Sequence, residues 1–407
     1  MDNPKKTVSS RRFWDFSEDL EKFSNYLYNQ LANGNPNRNI IFSPFSIQTC
    51  AAMLLMGAEK GTETFGELRH GLQFSIEDYA DIANEFDTIL TAYEQLNTLK
   101  TANKLYLMNG LSVQRKFEIL LTKRFHSKPE SLDFANSSES AEHINGWVES
   151  RTNRLIKDII KPELLNSQTR LILVNATHFK GEWEIKFNEH NTRDDDFYIN
   201  ESQKITVKMM HLEHTFLYAE LKGLDATALQ MNYKDSDLSM LIILPNTRTG
   251  LRNVENKLQS TSLKKITNQL SEAPVNVKIP RFKVEFEQEL SPVFKMLGIR
   301  RIFSNDAELG KILTTDDPLN VSQIFHKAFI EVNEMGTEAA AATAIIAMVR
   351  SLPLPPPKPK QFYANKQFYY VIFHRSHGHL FAGNVCQFSA PAAPAAPSDE
   401  ACICEKN

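Results

Sequence analysis

The run from Glu331 to Ser351, EVNEMGTEAAAATAIIAMVRS, holds the residue types with the plainest chemical use in this chain. It starts as an alternating strand, turns at Gly336, and continues through small uncharged side chains to a lone Arg350. Between Gly336 and Arg350 the only charge is Glu338. A guanidinium is the group that a trypsin-like specificity pocket pairs with through its buried Asp. In an extended chain Thr337, Ala339, Ala341, Thr343, Ile345 and Ala347 share one face, and Glu338, Ala340, Ala342, Ala344, Ile346 and Met348 share the other. The first face carries no charge and suits a packed core. The same composition also suits an Ala-rich helix with Glu338 in its first turn. Behind Arg350, the segment LPLPPPKPK from Leu352 to Lys360 disfavours helix and central strand, because each Pro fixes φ and removes a backbone donor.

Other residues with chemical potential are less telling. There is no G-x-S-x-G elbow, no phosphate loop and no H-E-x-x-H. Ser, His and Asp are scattered, so the reading is not an enzyme. His374, His377 and His379 in FHRSHGHLF, with Cys402 and Cys404, have the chemistry of metal ligands. They read instead as a hairpin with Gly378 as its turn residue and exposed imidazoles, and neither a metal nor a cofactor is expected. Cys50 lies in the apolar stretch TCAAMLLMGA and reads as a buried, inert thiol.

The elements that must position these residues are those of a large mixed protein. With 407 residues, 42% of them apolar, and a net charge of −3, the chain can bury a sizeable core. Its near-neutral balance argues against nucleic acid as a partner. No apolar run approaches the roughly 18 residues that span a bilayer, so no membrane partner is expected either. The N-terminus shows no secretory signal, which favours an intracellular, cytoplasmic location; the alternative is an extracellular one reached by another start or route. Apolar spacing predicts a helix from Trp14, with Phe16, Leu20, Phe23, Leu27 and Leu31 on one side. Ile47–Gly57 reads as a buried helix, and Ile76 to Leu99 as one or two acidic amphipathic helices without Lys or Arg. Strands are predicted at Ala102–Met108, Leu171–Ala176, Ser239–Leu244, Val275–Ile279, Ile330–Val332 and Phe368–Phe373. The class is α+β. Residues 1–13 are expected to be loose, 14–388 to form one domain, and the Pro/Ala-rich 389–407 to be disordered.

EVNEMGTEAAAATA resembles the reactive-loop hinge of the serpins, the serine protease inhibitor family, whose loops typically read E-E-G-T-E-A-A. The chain departs once, with Met335 in place of the second Glu, at a position expected to be exposed. Further segments resemble the family in the expected order: NIIFSPFSI at Asn39–Ile47, LLMGAEKGT at Leu54–Thr62, INGWVESRTNRLIKDII at Ile144–Ile160, LVNATHFKGEWEIKF at Leu173–Phe187, IPRFKVEFEQELSPVFKMLGIRRIF at Ile279–Phe303, and IFHKAFIEV at Ile324–Val332. The pattern spans about residues 14–388 and is similar to that of inhibitory, insect-like serpins.

The resemblance implies the serpin fold: three β-sheets, eight to nine helices and an exposed reactive loop, here 334–360. It implies a monomeric inhibitor that acts as a suicide substrate. Family register from Gly336 sets the reactive bond between Arg350 and Ser351, which implies a trypsin-like serine protease as covalent partner. Cleavage after Met348 is the runner-up. The hinge would comprise Glu334, Gly336, Thr337, Glu338, Ala339, Ala340, Ala341, Ala342 and Thr343. His326 would share a buried network with Asn175, Ser43 and Ser46 where the main sheet opens. Arg281 would pair with Glu334 near Trp183 where the loop enters the sheet, with a carboxylate held in bidentate fashion. Some serpins bind sulfated polysaccharide through a basic helix, which the acidic Ile76–Leu99 does not supply. The alternative within the family is a non-inhibitory chaperone, carrier or storage protein; such members tend to carry charged, bulky or Pro residues in the hinge.

Overall fold

The computed structural model describes residues 5–76, 78–95, 98–337 and 358–388, with side chains from Phe16 onward. The chain begins with α1 (Lys5–Gly34), β1 (Ile40–Phe42), α2 (Pro44–Gly57), α3 (Glu63–Gly71) and α4 (Tyr79–Gln95). Then come β2 (Leu99–Met108), α5 (Arg115–Arg124), β3 (Glu130–Leu132), α6 (Ser137–Arg151), β4 (Leu171–Phe179) and β5 (Gly181–Glu182). The middle holds β6 (Arg193–Tyr198), β7 (Lys204–Leu221), β8 (Ala226–Asn232), β9 (Leu238–Pro245), α7 (Leu251–Leu258) and α8 (Leu263–Thr267). The last part supplies β10 (Ser271–Pro280), β11 (Phe282–Glu289), α9 (Ser291–Met296), β12 (Gln323–Asn333), β13 (Gly336–Thr337), β14 (Lys360–Tyr363), β15 (Phe368–His374) and β16 (Gly378–Val385).

Among the described residues, strand pairing makes two sheets. The smaller runs β3-β2-β4-β12-β13-β5, with β11 also on β12. The larger runs β1-β16-β15-β9-β8-β7-β10-β14, with β6 also on β7. The 18-residue β7 divides the larger sheet into two regions. Its early residues, Lys204–Met209, pair with β6, Met209–Tyr218 pair with β10, and its last, Leu217–Leu221, pair with β8. Three sheet regions thus arise from two hydrogen-bonded ladders.

The main core fills the space between the sheets and around α1 and α2. A second cluster joins α6 and residues after it to the outer face of β2, β4 and β12. Every residue of α2 is buried, its polar Ser46, Gln48 and Thr49 included, and Ser43 caps it by accepting from Ser46 N at 3.2 Å. The first helix starts at Lys5, directly after Pro4, inside the stretch expected to be loose. Pro is tolerated where a helix begins, and Lys and Arg favour its continuation.

The acidic helix predicted within Ile76–Leu99 is α4, and its counter-charges come from the end of α5 and just beyond it. Arg124 reaches Asp87 at 2.6 Å, and His126 touches Asp87 at 3.0 Å and Glu94 at 2.8 Å. The histidines of FHRSHGHLF do lie on a hairpin turned by Gly378, at φ 81°. Their imidazoles, however, are not exposed. His379 is buried and shares a 2.9 Å hydrogen bond with Ser24 Oγ, while His374 and His377 stack on each other and meet the Tyr93 ring edge to face. Among the described residues, no group of three or more His, Cys, Asp or Glu is placed to hold a metal ion, and no helix is long and apolar enough to cross a membrane.

Candidate functional site

The site grows from the end of β12. Asn333 closes a tight turn, its Oδ1 accepting from Met335 N at 3.0 Å, and the chain doubles back so that Gly336 faces Asn333 and Thr337 faces Val332. On its other side β13 pairs with β5, Gly336 with Glu182 and Thr337 with Gly181. Two residues of the hinge are therefore already strand residues, wedged between β12 and β5. Only glycine fits first: Gly336 has φ 143°, and a Cβ there would lie 2.1 Å from Gly181 O. Thr337 has no exposed surface, and its Oγ1 lies 3.0 Å from Tyr233 Oη. Tyr233 stacks on Trp183 at 4.6 Å. Trp183 Nε1 donates to Asn333 O at 3.1 Å, and Trp183 N donates to Met335 O at 2.9 Å.

Glu334 anchors the turn. Its carboxylate is buried, and Arg281 Nε and Nη2 both reach Oε1 at 2.6 Å. The fork thus converges on one oxygen instead of spanning two, and Thr192 also donates its hydroxyl to Oε1. Charge-assisted bonds of this kind are among the stronger polar contacts. Met335, expected to be exposed, is 8% exposed. The turn lays it against the chain at Trp183, a placement no local pattern reveals.

Below the wedge, β4 and β12 pair directly and in parallel, from Gln323↔Ile172 to Phe329↔His178. One polar cluster crosses this seam on its α2 face. His326 Nδ1 donates to Asn175 Oδ1 at 2.5 Å, and Asn175 Nδ2 donates to Ser46 Oγ at 2.7 Å and to Asn103 Oδ1 at 2.5 Å. Ser46 Oγ in turn donates to Asn103 at 2.9 Å. An amide oxygen only accepts, so the proton sits on Nδ1 of His326. Burial pushes the His326 pKa from 6.5 down to about 3, so the ring is neutral. Ser43 Oγ touches the cluster only through the Ser46 backbone N–H, which it accepts, and donates to Leu380 O at 2.7 Å.

The structure brings together Ser46, Asn175 and His326 in one network and Trp183, Arg281 and Glu334 in a second, with Ser43 next to the first. Sequence reading missed Asn103, Tyr233 and Thr192. Asn103 left a trace, since it has the strand parity of the apolar Leu105 and Leu107 and so breaks an inward row. Glu338, Ala339, Ala340, Ala341, Ala342 and Thr343 of the hinge, and the bond between Arg350 and Ser351, lie outside the described residues. Their flanks are described. Thr337 ends in the smaller sheet, and β14 resumes at the edge of the larger one.

The described residues of this region offer a strand end seated in a sheet, and a seam below it held by polar side chains. Comparison with known proteins agrees with that arrangement. The profile of the family described as Serpin (serine protease inhibitor) matches residues 18–388. The chain is 34% identical over 355 residues to antitrypsin of Bombyx mori, covering 86% of this chain and 89% of that protein. It is 34% identical to human Serpin B4, covering 92% and 99%. Among solved structures, cleaved Serpin 42Da superposes with a TM-score of 0.84 at 46% identity, covering 92% of this chain and 98% of that one. The chain belongs to the serpins, a family of protease inhibitors and not of catalytic enzymes.

Proposed function

We propose that this chain inhibits trypsin-like serine proteases as a suicide substrate cleaved between Arg350 and Ser351. The protease serine attacks the Arg350 carbonyl, the peptide bond breaks, and Ser351 leaves as the new amine, so the protease is held as an ester. Loop residues beyond Thr337 then join the smaller sheet and carry the tethered protease with them, and distortion of its active site stops hydrolysis of the ester. Strand addition gains a ladder of main-chain hydrogen bonds.

The observation that supports this reading most is the seating of Gly336 and Thr337 between β12 and β5. Carried on residue by residue, the Thr337↔Val332 register sets Ala339 against Ile330, Ala341 against Ala328, Thr343 against His326 and Ile345 against Ile324. These β12 residues face the main core or the His326 cluster, and each loop residue arriving there is small or apolar. A charge on that face would block the process, and the sequence has none.

Incubation with trypsin tests the proposal. An SDS-stable complex is expected, and Arg350→Ala should abolish it. Cleavage without a complex would instead support a non-inhibitory carrier or storage role.

A further inference from the structure

The second half of α4 is held by histidines on two sides, and the two holds need opposite protonation states. On one side stands His126, just past the end of α5. Its Nε2 lies 3.0 Å from Asp87 Oδ1 and its Nδ1 lies 2.8 Å from Glu94 Oε1, so the ring spans about two turns of α4. An ionised carboxylate only accepts, so both nitrogens donate and the ring is an imidazolium. Arg124 shares Asp87, at 2.6 Å. His126 itself has φ 51°, in the left-handed region that surrounding contacts must maintain. The next residue, Ser127, is tied to β2, its Oγ donating to Asn103 O at 2.7 Å. The loop that carries His126 is therefore fixed to the sheet and not to α4.

On the other side is the β15–β16 hairpin. His374 and His377 stack with ring centroids 4.1 Å apart and planes 11° apart. Both meet Tyr93 of α4 edge to face, with centroids at 6.0 Å and 5.6 Å. Tyr93 is buried and meets Phe45 of α2 in turn. His374 Nδ1 accepts from Ser376 N at 3.1 Å, so that nitrogen carries no proton. Asp237, just before β9, and Arg375 are charges of opposite sign beside the pair. Across the cavity that His374 borders stand Glu18, Glu21 and Lys22 of α1 and Lys264 and Lys265 of α8, again of both signs. A proton on either ring sets a cation in a half-buried stack against a buried aromatic, where charge is disfavoured.

We propose that α4 is docked by two catches of opposite proton sense: His126 holds it when protonated, and the stacked His374–His377 pair holds it when neutral. The helix is then seated most firmly in a window of pH and loosens on either side. This device does not depend on the inhibitory reading above.

The signs can be worked out separately. Burial alone would lower the His126 pKa, but hydrogen bonds and charge from Asp87 and Glu94 outweigh it and raise it above 6.5. Its hold is complete below about pH 6.5, where the unfolded chain titrates, and is lost as pH rises through the folded pKa. Burial lowers the pKa of His374, and burial with the neighbouring His374 takes His377 down to about 4. Their hold is complete above about pH 6.5 and is lost as pH falls from there.

Amide hydrogen exchange of the full chain from about pH 5 to about pH 9 tests this, expressed as protection so that the intrinsic pH dependence of exchange cancels. Protection in residues 87–95 should peak near about pH 6.5 and fall roughly threefold on each side, the scale of a partly exposed charged contact. His126→Gln should remove the alkaline limb and leave the acid limb. A chain with both His374→Phe and His377→Phe keeps stacked rings without their protons, and should lose the acid limb alone. Protection that is flat with pH, or limbs that persist in both variants, overturns the proposal. Should the double variant not fold, ring titration of the parent chain by NMR decides. His126 titrating above the unfolded value, with His374 and His377 below it, supports the catches. Either set on the other side of that value overturns them.

Discussion

Thr337 Oγ1 and Tyr233 Oη lie 3.0 Å apart in a fully buried pocket, which shows that the hinge is a strand end already seated in the sheet. Tyr233 is held in turn by Trp183 and Phe179. The threonine hydroxyl is thus paired, and its methyl lies in apolar surroundings. The wedge starts a separation of β12 from the β4–β5 side that further insertion would only extend.

Thr337→Arg tests that seating. Burying an unpaired cation beside Tyr233 costs several kcal/mol in practice. The variant should expel the hinge and slow insertion below the rate of ester hydrolysis. The stoichiometry of trypsin inhibition should rise severalfold, with the variant consumed as substrate. A stoichiometry equal to the parent's would contradict the role given to this position.

The Glu334–Arg281 pair makes a second prediction. Glu334→Lys sets two cations together where a carboxylate now accepts from Arg281 and Thr192. Arg281 is 43% exposed, so water screens the pair and the loss should be modest, about 1–3 kcal/mol. Freed from its anchor, the turn should let the sheet open more easily, and polymer should appear after mild heating. Native gels check this: polymer in Glu334→Lys and rescue by adding Arg281→Glu are expected. Monomer in every variant would remove the pair from the mechanism.

Acid should weaken the seam. Burial holds the His326 pKa at about 3, and burial likewise holds His178 and His379 at about 4. In the unfolded chain these rings protonate near 6.5. Their contribution is therefore complete above pH 6.5 and is lost progressively as pH falls toward 3. For His326 alone the loss between pH 6.5 and pH 4 is on the order of 3 kcal/mol. Thermal midpoints measured from pH 8 to pH 4 should fall, and His326→Gln should flatten part of that fall. An identical slope in the variant would show that the seam does not sense this proton.

Much of this was legible in the residues. The nearly all-apolar run from Ile47 to Gly57 gave α2, the 3.6 spacing from Phe16 to Leu31 gave most of α1, and the hairpin at Gly378 followed from a turn residue between two apolar strands. The partnership of His326 with Asn175 and Ser46 came from the family likeness, since nothing in residue spacing brings positions 46, 175 and 326 together. What stayed hidden depends on tertiary closeness. Thr192 and Tyr233 sit in unremarkable strand and loop contexts until folding brings them to Glu334 and Thr337. The histidines of the hairpin looked exposed because polar residues flank them, yet α1 covers His379 through Ser24.

Mass spectrometry of the fragment freed when trypsin is trapped decides the proposed mechanism. If the reading holds, the covalent complex forms and the released C-terminal piece begins at Ser351. A fragment beginning at Val349, from cleavage after Met348, would contradict the assignment of the bond. Quantitative cleavage with no covalent complex would contradict inhibition itself.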